Sequence, residues 1–188
     1  MAPSPQSAVR DPVRIRLATP EDAAPLSAFA ARCFREAYRE LAAPEDLEAY
    51  VAGAFFDARQ LAELRDPATY TLVAEGGGAW AGYAQLRWSD PPPAIRDAAA
   101  IELSRFYVDR PWQGRGVAQA LMRTALEAAA AGGARVAWLG VWQRNPRAVA
   151  FYEKSGFRVV GTQPFAMGAD VQDDWVMARA LDAATSGR

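Results

Sequence analysis

The chain has 188 residues, 51% of them hydrophobic, and a formal net charge of −1, which suits one domain with a sizeable core. Near-neutral charge without long blocks of one sign lacks the electrostatic footprint of a nucleic-acid or anionic-membrane binder. There is no histidine and only one cysteine, Cys33, which excludes an internal disulfide, the common structural zinc sites and Ser-His or Cys-His catalysis.

Met1 to Pro12, rich in proline and serine, reads as a disordered tail without the apolar core of a signal peptide. No apolar stretch is long enough to span a bilayer, so the expectation is a cytoplasmic protein. Val13 to Ala18 (VRIRLA) alternates apolar and charged residues, the period of a half-buried strand. Thr19-Pro20-Glu21-Asp22 then offers a capping hydroxyl, proline at the first helical position and acids in the first turn, predicting a helix from Pro20 toward Tyr38. Leu26, Phe29, Ala30 and Cys33 form its apolar face. A second helical stretch runs from Pro44 to Leu64, broken near Phe56-Asp57. Thr69 to Glu75 and Trp80 to Trp88 flank Gly76-Gly77-Gly78 and read as a hairpin. Ser89 to Ala100 holds three consecutive prolines and reads as an exposed loop. Ile101 to Asp109 (IELSRFYVD) is a strand, Gly116 to Ala131 a helix ended by Gly132-Gly133, and Val136 to Trp142 a strand. That order demands a parallel pair with a helical crossover. A short helix from Pro146 to Ser155 and strands from Phe157 to Thr162 and Trp175 to Leu181 complete one α/β domain over residues 13–183, with residues 184–188 as a tail.

The segment from Arg110 to Ala118 (RPWQGRGVA) places glycines between a buried strand and a helix. Gly114 and Gly116 let backbone approach a ligand, and the free N–H groups at the helix start, beside the positive end of its dipole, suit an anion. Arg115 adds a charge-assisted contact to a phosphate. The competing reading is a plain turn. A P-loop is excluded because the single lysine, Lys154, lies elsewhere, and a dinucleotide fingerprint starting at Gly114 would put Gln119 where a small residue is needed.

Gln113-x-x-Gly116-x-Ala118 resembles the Q/R-x-x-G-x-G/A acetyl-CoA motif of the GNAT superfamily of N-acetyltransferases. Asn145, Ala148, Phe151-Tyr152 and Gly156-Phe157 are similar to a second pattern of that superfamily, N-x-x-A-x-x-F-Y-x-x-x-G-F. The resemblance implies a single domain whose mixed, mostly antiparallel sheet carries a central, splayed parallel strand pair flanked by helices. It implies acetyl-CoA as co-substrate and direct transfer to an amine, with no metal. Gln113, Gly114, Arg115, Gly116, Val117, Ala118 and Asn145 would hold CoA, and the strand backbone at Phe106, Tyr107 and Val108 would meet the pantetheine arm and acetyl oxygen. Tyr152 takes the position that protonates the departing thiolate in many members, and it also contacts the cofactor. Asn145, ahead of Pro146, equally suits an N-cap. Phe151 and Phe157 read as packing, and Cys33 as a small buried residue.

A protonated alkylamine has no lone pair, so attack requires a base. Glu102, on the strand expected to splay, is the first choice, acting directly or through water; the alternative is a carboxylate paired with an arginine. The segments LSRFYV, WLGVWQRNPRAVAFYEKSGF and FAMGADVQDDWVMARAL resemble the PaiA-like branch, whose members acetylate spermidine and spermine. Gln172 and Asp174 match its Q-x-D pattern, whereas Gln163 stands where many members carry histidine. Asp170, Asp173 and Asp174 could attract a cation, but an acidic run reads first as a solvated loop. The expected partner is therefore a small-molecule amine such as a polyamine. A protein N-terminus as acceptor and a non-catalytic acyl-CoA-binding domain are the alternatives, and a homodimer is common among similar enzymes.

Overall fold

In a computed structural model of the chain, residues 13–167 and 170–182 are described. The tails expected over residues 1–12 and 184–188 lie outside them. The elements run β1 (Arg14–Leu17), α1 (Ala23–Tyr38), α2 (Pro44–Ala54), α3 (Asp57–Arg65), β2 (Thr69–Gly76), β3 (Ala79–Arg87), β4 (Ala100–Val108), α4 (Val117–Ala131), β5 (Val136–Trp142), α5 (Pro146–Lys154), β6 (Arg158–Met167) and β7 (Asp170–Ala180). One seven-stranded sheet has the order β1-β2-β3-β4-β5-β7-β6, and β4–β5 is its parallel pair. The expected α/β architecture is present.

Local chemistry explains most boundaries. Helix entry after β1 is a 3-10 turn, Pro20–Asp22, in which Asp22 accepts from the Thr19 backbone N–H at 2.8 Å. Arg16 fastens that turn to the sheet by donating to Asp22 at 2.6 Å and to Glu75 at 2.7 Å. The β2–β3 hairpin turns through Gly77 and Gly78, both at positive φ. α2 and α3 break at Phe55-Phe56, as the sequence indicated.

The sheet separates two apolar clusters. One joins α4 to the face carrying Leu72, Ile101, Leu103, Leu139 and Phe157, with Leu121 and Ala125 fully buried. The other joins α1 and α2 to Val73 and Tyr83 through Leu26, Phe29, Phe34 and Val51. Burying each such leucine or phenylalanine contributes about 1.5–3 kcal/mol.

β4 changes parity partway along. Gln85 faces Arg105 while the next residue, Leu86, faces Leu103, so Ser104 is the extra residue of a bulge. Its hydroxyl donates to the Gln85 carbonyl at 3.2 Å. Before the bulge Ile101 and Leu103 point toward α4; after it Phe106 and Val108 do, and Tyr107 joins the α1–α2 side.

The sequence reading placed residues 163–174 in a loop. Of these, residues 163–167 belong instead to β6 and residues 170–174 to β7, paired from Arg158↔Ala178 outward to Met167↔Asp170. Asp173 and Asp174 are therefore strand residues, fixed by pairing with β6 and, for Asp174, with Trp142 of β5.

Candidate active site

β4 and β5 pair only from Ala100↔Val136 to Glu102↔Trp138. Beyond that point β4 stays on β3 and β5 stays on β7, and the sheet opens between them. Asp109 N–H donates to Ala81 O on the β3 side, so by strand alternation Phe106 and Val108 present their backbone groups to the opening. Tyr107, expected to offer backbone there, has its main chain turned to β3. Its side chain lies on the α1–α2 face, stacked on Tyr83 at 5.6 Å.

The turn after β4 is held at both ends. Asp109, 8% exposed, accepts two bonds from Arg32 of α1, at 2.7 and 3.0 Å, and one from Arg110 N–H. Gly114 (φ 72°) and Gly116 (φ 82°) then turn the chain through left-handed backbone that other residues resist. Gly116 is the N-cap of α4 and has no side chain to occupy the first-turn N–H groups, so those of Val117, Ala118 and Gln119 stay open to an anion. Residues Gln113 to Gly116 are exposed. The Arg115 guanidinium lies over the Trp112 ring at 5.8 Å, beside this turn. Loop, glycines and open helix start fit the diphosphate of a CoA.

Gln113 has an internal task. Its Nε2 donates to Val108 O at 2.9 Å and its Oε1 accepts from Arg147 at 2.6 Å, so it ties the loop to the end of β4 and to the first turn of α5. Arg147 was not singled out from sequence; its only linear signal is a cation in the first turn of a helix, where the dipole disfavours it. Asn145 is the N-cap of α5, its Oδ1 accepting from Ala148 N–H at 3.1 Å.

Tyr152 of α5 packs edge-on against Phe106 at 6.4 Å, Phe151 at 5.6 Å and Phe157 at 6.0 Å. Burial among these rings pushes its phenol above the ordinary tyrosine range, so it is held protonated and can donate a proton. The packing expected for Phe151 and Phe157 is present.

Glu102 is placed otherwise than its proposed role requires. It sits on the last closed rung of the β4–β5 pair, and its Oε2 accepts from Arg87 at 2.8 Å and Ser89 at 2.9 Å. The arginine partner is Arg87, its cross-strand neighbour on β3; Arg105 instead binds Glu63 of α3. The Glu102 carboxylate is engaged by a cation and a hydroxyl at the closed end of the strand pair. Cys33 is buried in α1, and burial pushes its thiol up to about 12.

On the α1–α2 side the opening is lined by side chains the sequence reading passed over. Phe34 stacks on Tyr38 at 4.4 Å and on Tyr50 at 4.6 Å, Tyr38 meets Trp142 at 6.5 Å, and Tyr50 meets Phe165 at 5.7 Å. Gly140 is exposed in mid-strand between buried Leu139 and Val141. A methyl added there would lie 2.6 Å from Gln163 Nε2 and 3.3 Å from Asp174 Oδ2.

Among the described residues no group of His, Cys, Asp and Glu could hold a metal ion, and no helix is long and apolar enough to cross a membrane. Residues 29–157 match the profile of the Acetyltransferase (GNAT) family. An uncharacterized N-acetyltransferase of Mycobacterium tuberculosis is 41% identical over 160 residues, 85% of this chain and 98% of that protein. The N-alpha-acetyltransferase RimI of the same organism is 32% identical over 118 residues, 62% of this chain and 70% of RimI. In fold, the chain is similar to the PaiA N-acetyltransferase of Thermoplasma acidophilum crystallised with coenzyme A, with a TM-score of 0.75, 21% identity, and coverage of 90% of this chain and 99% of that one.

Proposed function

The chain belongs to the acetyltransferase (GNAT) family and is an N-acetyltransferase with acetyl-CoA as co-substrate, and from that premise we propose that it transfers acetyl directly to a primary amine of a small molecule, polyamines being the first class to try. The observation that carries this reading is the opening beyond Glu102↔Trp138, which leaves strand backbone, an anion-binding turn and a protonated phenol around one space.

The amine attacks the thioester carbonyl from the α1–α2 side, while the CoA diphosphate rests on the Gly114–Gly116 turn at the start of α4. Backbone N–H of Phe106 or Val108 stabilises the charge developing on the carbonyl oxygen, an effect worth roughly 3 kcal/mol per well-placed donor. Tyr152 donates a proton to the departing sulfur. Cys33 lies in the α1 core with its thiol held protonated, which supports direct transfer over an acetyl-cysteine intermediate.

The likeness to RimI favours one second reading, acetylation of a peptide N-terminus. Thiol release from acetyl-CoA, measured with spermidine, spermine, simple alkylamines, aminoglycosides and N-terminal peptides as separate acceptors, decides between them. Turnover confined to peptides would replace the small-molecule assignment. Silence with every acceptor, despite measured acetyl-CoA binding, would point to a non-catalytic acyl-CoA-binding domain.

A further inference from the structure

β7 sends Asp174 toward the opening from the side opposite β4, between Trp142 on β5 and Gln163 on β6. The residue is 8% exposed and its Oδ1 has no hydrogen-bond partner among the described residues. Among those residues the groups facing it offer no positive charge. Asp173 adjoins it on its own strand, the phenols of Tyr38 from α1 and Tyr50 from α2 both sense its charge, and Trp142 and Gln163 are neutral. A buried carboxylate with a free oxygen and no cation is costly to fold around, which points to a cation that arrives from outside.

We propose that Asp174 receives the ammonium group of the acceptor amine and takes its proton, in a pocket walled by Tyr38, Tyr50, Trp142 and Phe165. This rests on the reading of the chain as an amine acetyltransferase. Aromatic faces attract an ammonium and pack its aliphatic stem, so the walls and the carboxylate select the same chemistry. Gly140, lacking a side chain, leaves room for the Gln163 amide beside Asp174 Oδ2. Tyr38 senses both Asp174 and Tyr152, so the proposed proton acceptor and proton donor lie near the same aromatic side chain. Burial and Asp173 raise the Asp174 carboxyl to about 6, close enough to neutral pH for a working general base.

The protons balance. Asp174 removes one from the ammonium, and the freed lone pair forms the C–N bond. As the C–S bond breaks, its electron pair stays on sulfur, which takes the Tyr152 proton. The proton that nitrogen sheds in becoming an amide restores the phenol, and Asp174 returns its own to solvent. A ligand carboxylate in the same pocket would meet Asp174 and Asp173 as like charges, so the acceptor class is an alkyl amine or polyamine lacking a neighbouring carboxylate.

The test compares wild type with Asp174→Asn, using 1,5-diaminopentane and lysine as acceptors that differ by one carboxylate. Wild type should prefer the diamine by at least about 10-fold in kcat/KM, roughly the factor expected for one like-charge contact of 1.4 kcal/mol. Asp174→Asn should lose about 100-fold or more in kcat/KM at neutral pH while its acetyl-CoA Kd stays within about twofold. Its residual rate should climb about tenfold per pH unit toward the amine pKa, as solvent supplies neutral amine, whereas wild type levels off above about pH 6. A variant with wild-type kcat/KM and a wild-type pH profile would overturn the role of Asp174 alone, and so would a wild-type preference for lysine, a comparison that needs no variant to fold. Absence of turnover by wild type with any amine would instead overturn the amine acetyltransferase reading beneath it.

Discussion

Replacing Asp174 with asparagine should make the folded protein more stable at neutral pH while removing activity. The carboxyl titrates at the ordinary aspartate value of 3.8 when unfolded and at about 6 in the native state, where burial and Asp173 disfavour its charge. Between those values the native state holds the proton more tightly than the unfolded chain. Stability therefore falls as pH rises through that window and stays lowered above it. The difference between 3.8 and about 6 corresponds to about 3 kcal/mol at 1.36 kcal/mol per pH unit. Asparagine keeps the shape and removes the charge, but its amide inherits the unpartnered position of Oδ1, which costs about 1 kcal/mol of that gain. The expectation is a variant about 2 kcal/mol more stable at about pH 7.5, the advantage lost and slightly reversed near pH 4, where the native carboxyl is neutral and the cost of the amide remains. Urea unfolding followed by tryptophan fluorescence at the two pH values measures this directly, provided the slope with denaturant is unchanged. A variant no more stable at about pH 7.5, or equally stabilised at both pH values, would refute the claim that a desolvated, uncompensated charge sits at this position.

Tyr152→Phe should lower kcat by about 100-fold with acetyl-CoA affinity within about twofold, since the phenol proton matters in the transition state; steady-state kinetics and calorimetric titration separate the two. Gly82→Ala should cost about 1–3 kcal/mol, because the added carbon would lie 2.7 Å from the Tyr107 backbone oxygen, and a thermal melt should fall by roughly 2–4 °C per kcal/mol. Cys33→Ala should leave kcat within about twofold of wild type, and native Cys33 should resist alkylation, its thiol being buried and protonated; a large loss of kcat would reopen a covalent route.

The half of the candidate site assigned to the cofactor was legible because it is local. Gln113, Gly116 and Ala118 lie within one turn, and their spacing is the geometry, read without knowing where the rest of the chain lies. Asn145 and Tyr152 likewise sit on one short helix whose cap and apolar face are contiguous in sequence. The half proposed for the acceptor draws on α1, α2, β5, β6 and β7, and its contacts depend on register. Residues 163–174 carry Pro164, Gly168 and several acids, so they show no apolar alternation and read as a loop, although pairing between β6 and β7 makes strands of residues 163–167 and 170–174. The same limit hid the partner of Glu102. Its strand was clear, but Arg87 becomes its neighbour only through the hairpin and the β3–β4 register.

The bulge at Ser104 makes chain length within β4 a chemical variable. Side chains alternate along a strand, so if the same residues ran through β4 without the bulge, the alternation set by Ile101 and Leu103 would exchange the two faces of everything that follows. Phe106 and Val108 would leave the α4 core, Tyr107 would enter it, and the main-chain groups now aimed at the opening would turn into the β3 ladder. Every residue type needed for acetyl transfer would survive in the sequence, but the face on which the reaction runs would be inverted. Substitutions in this strand can accumulate one at a time, whereas an insertion or deletion away from the bulge must restore parity in the same event.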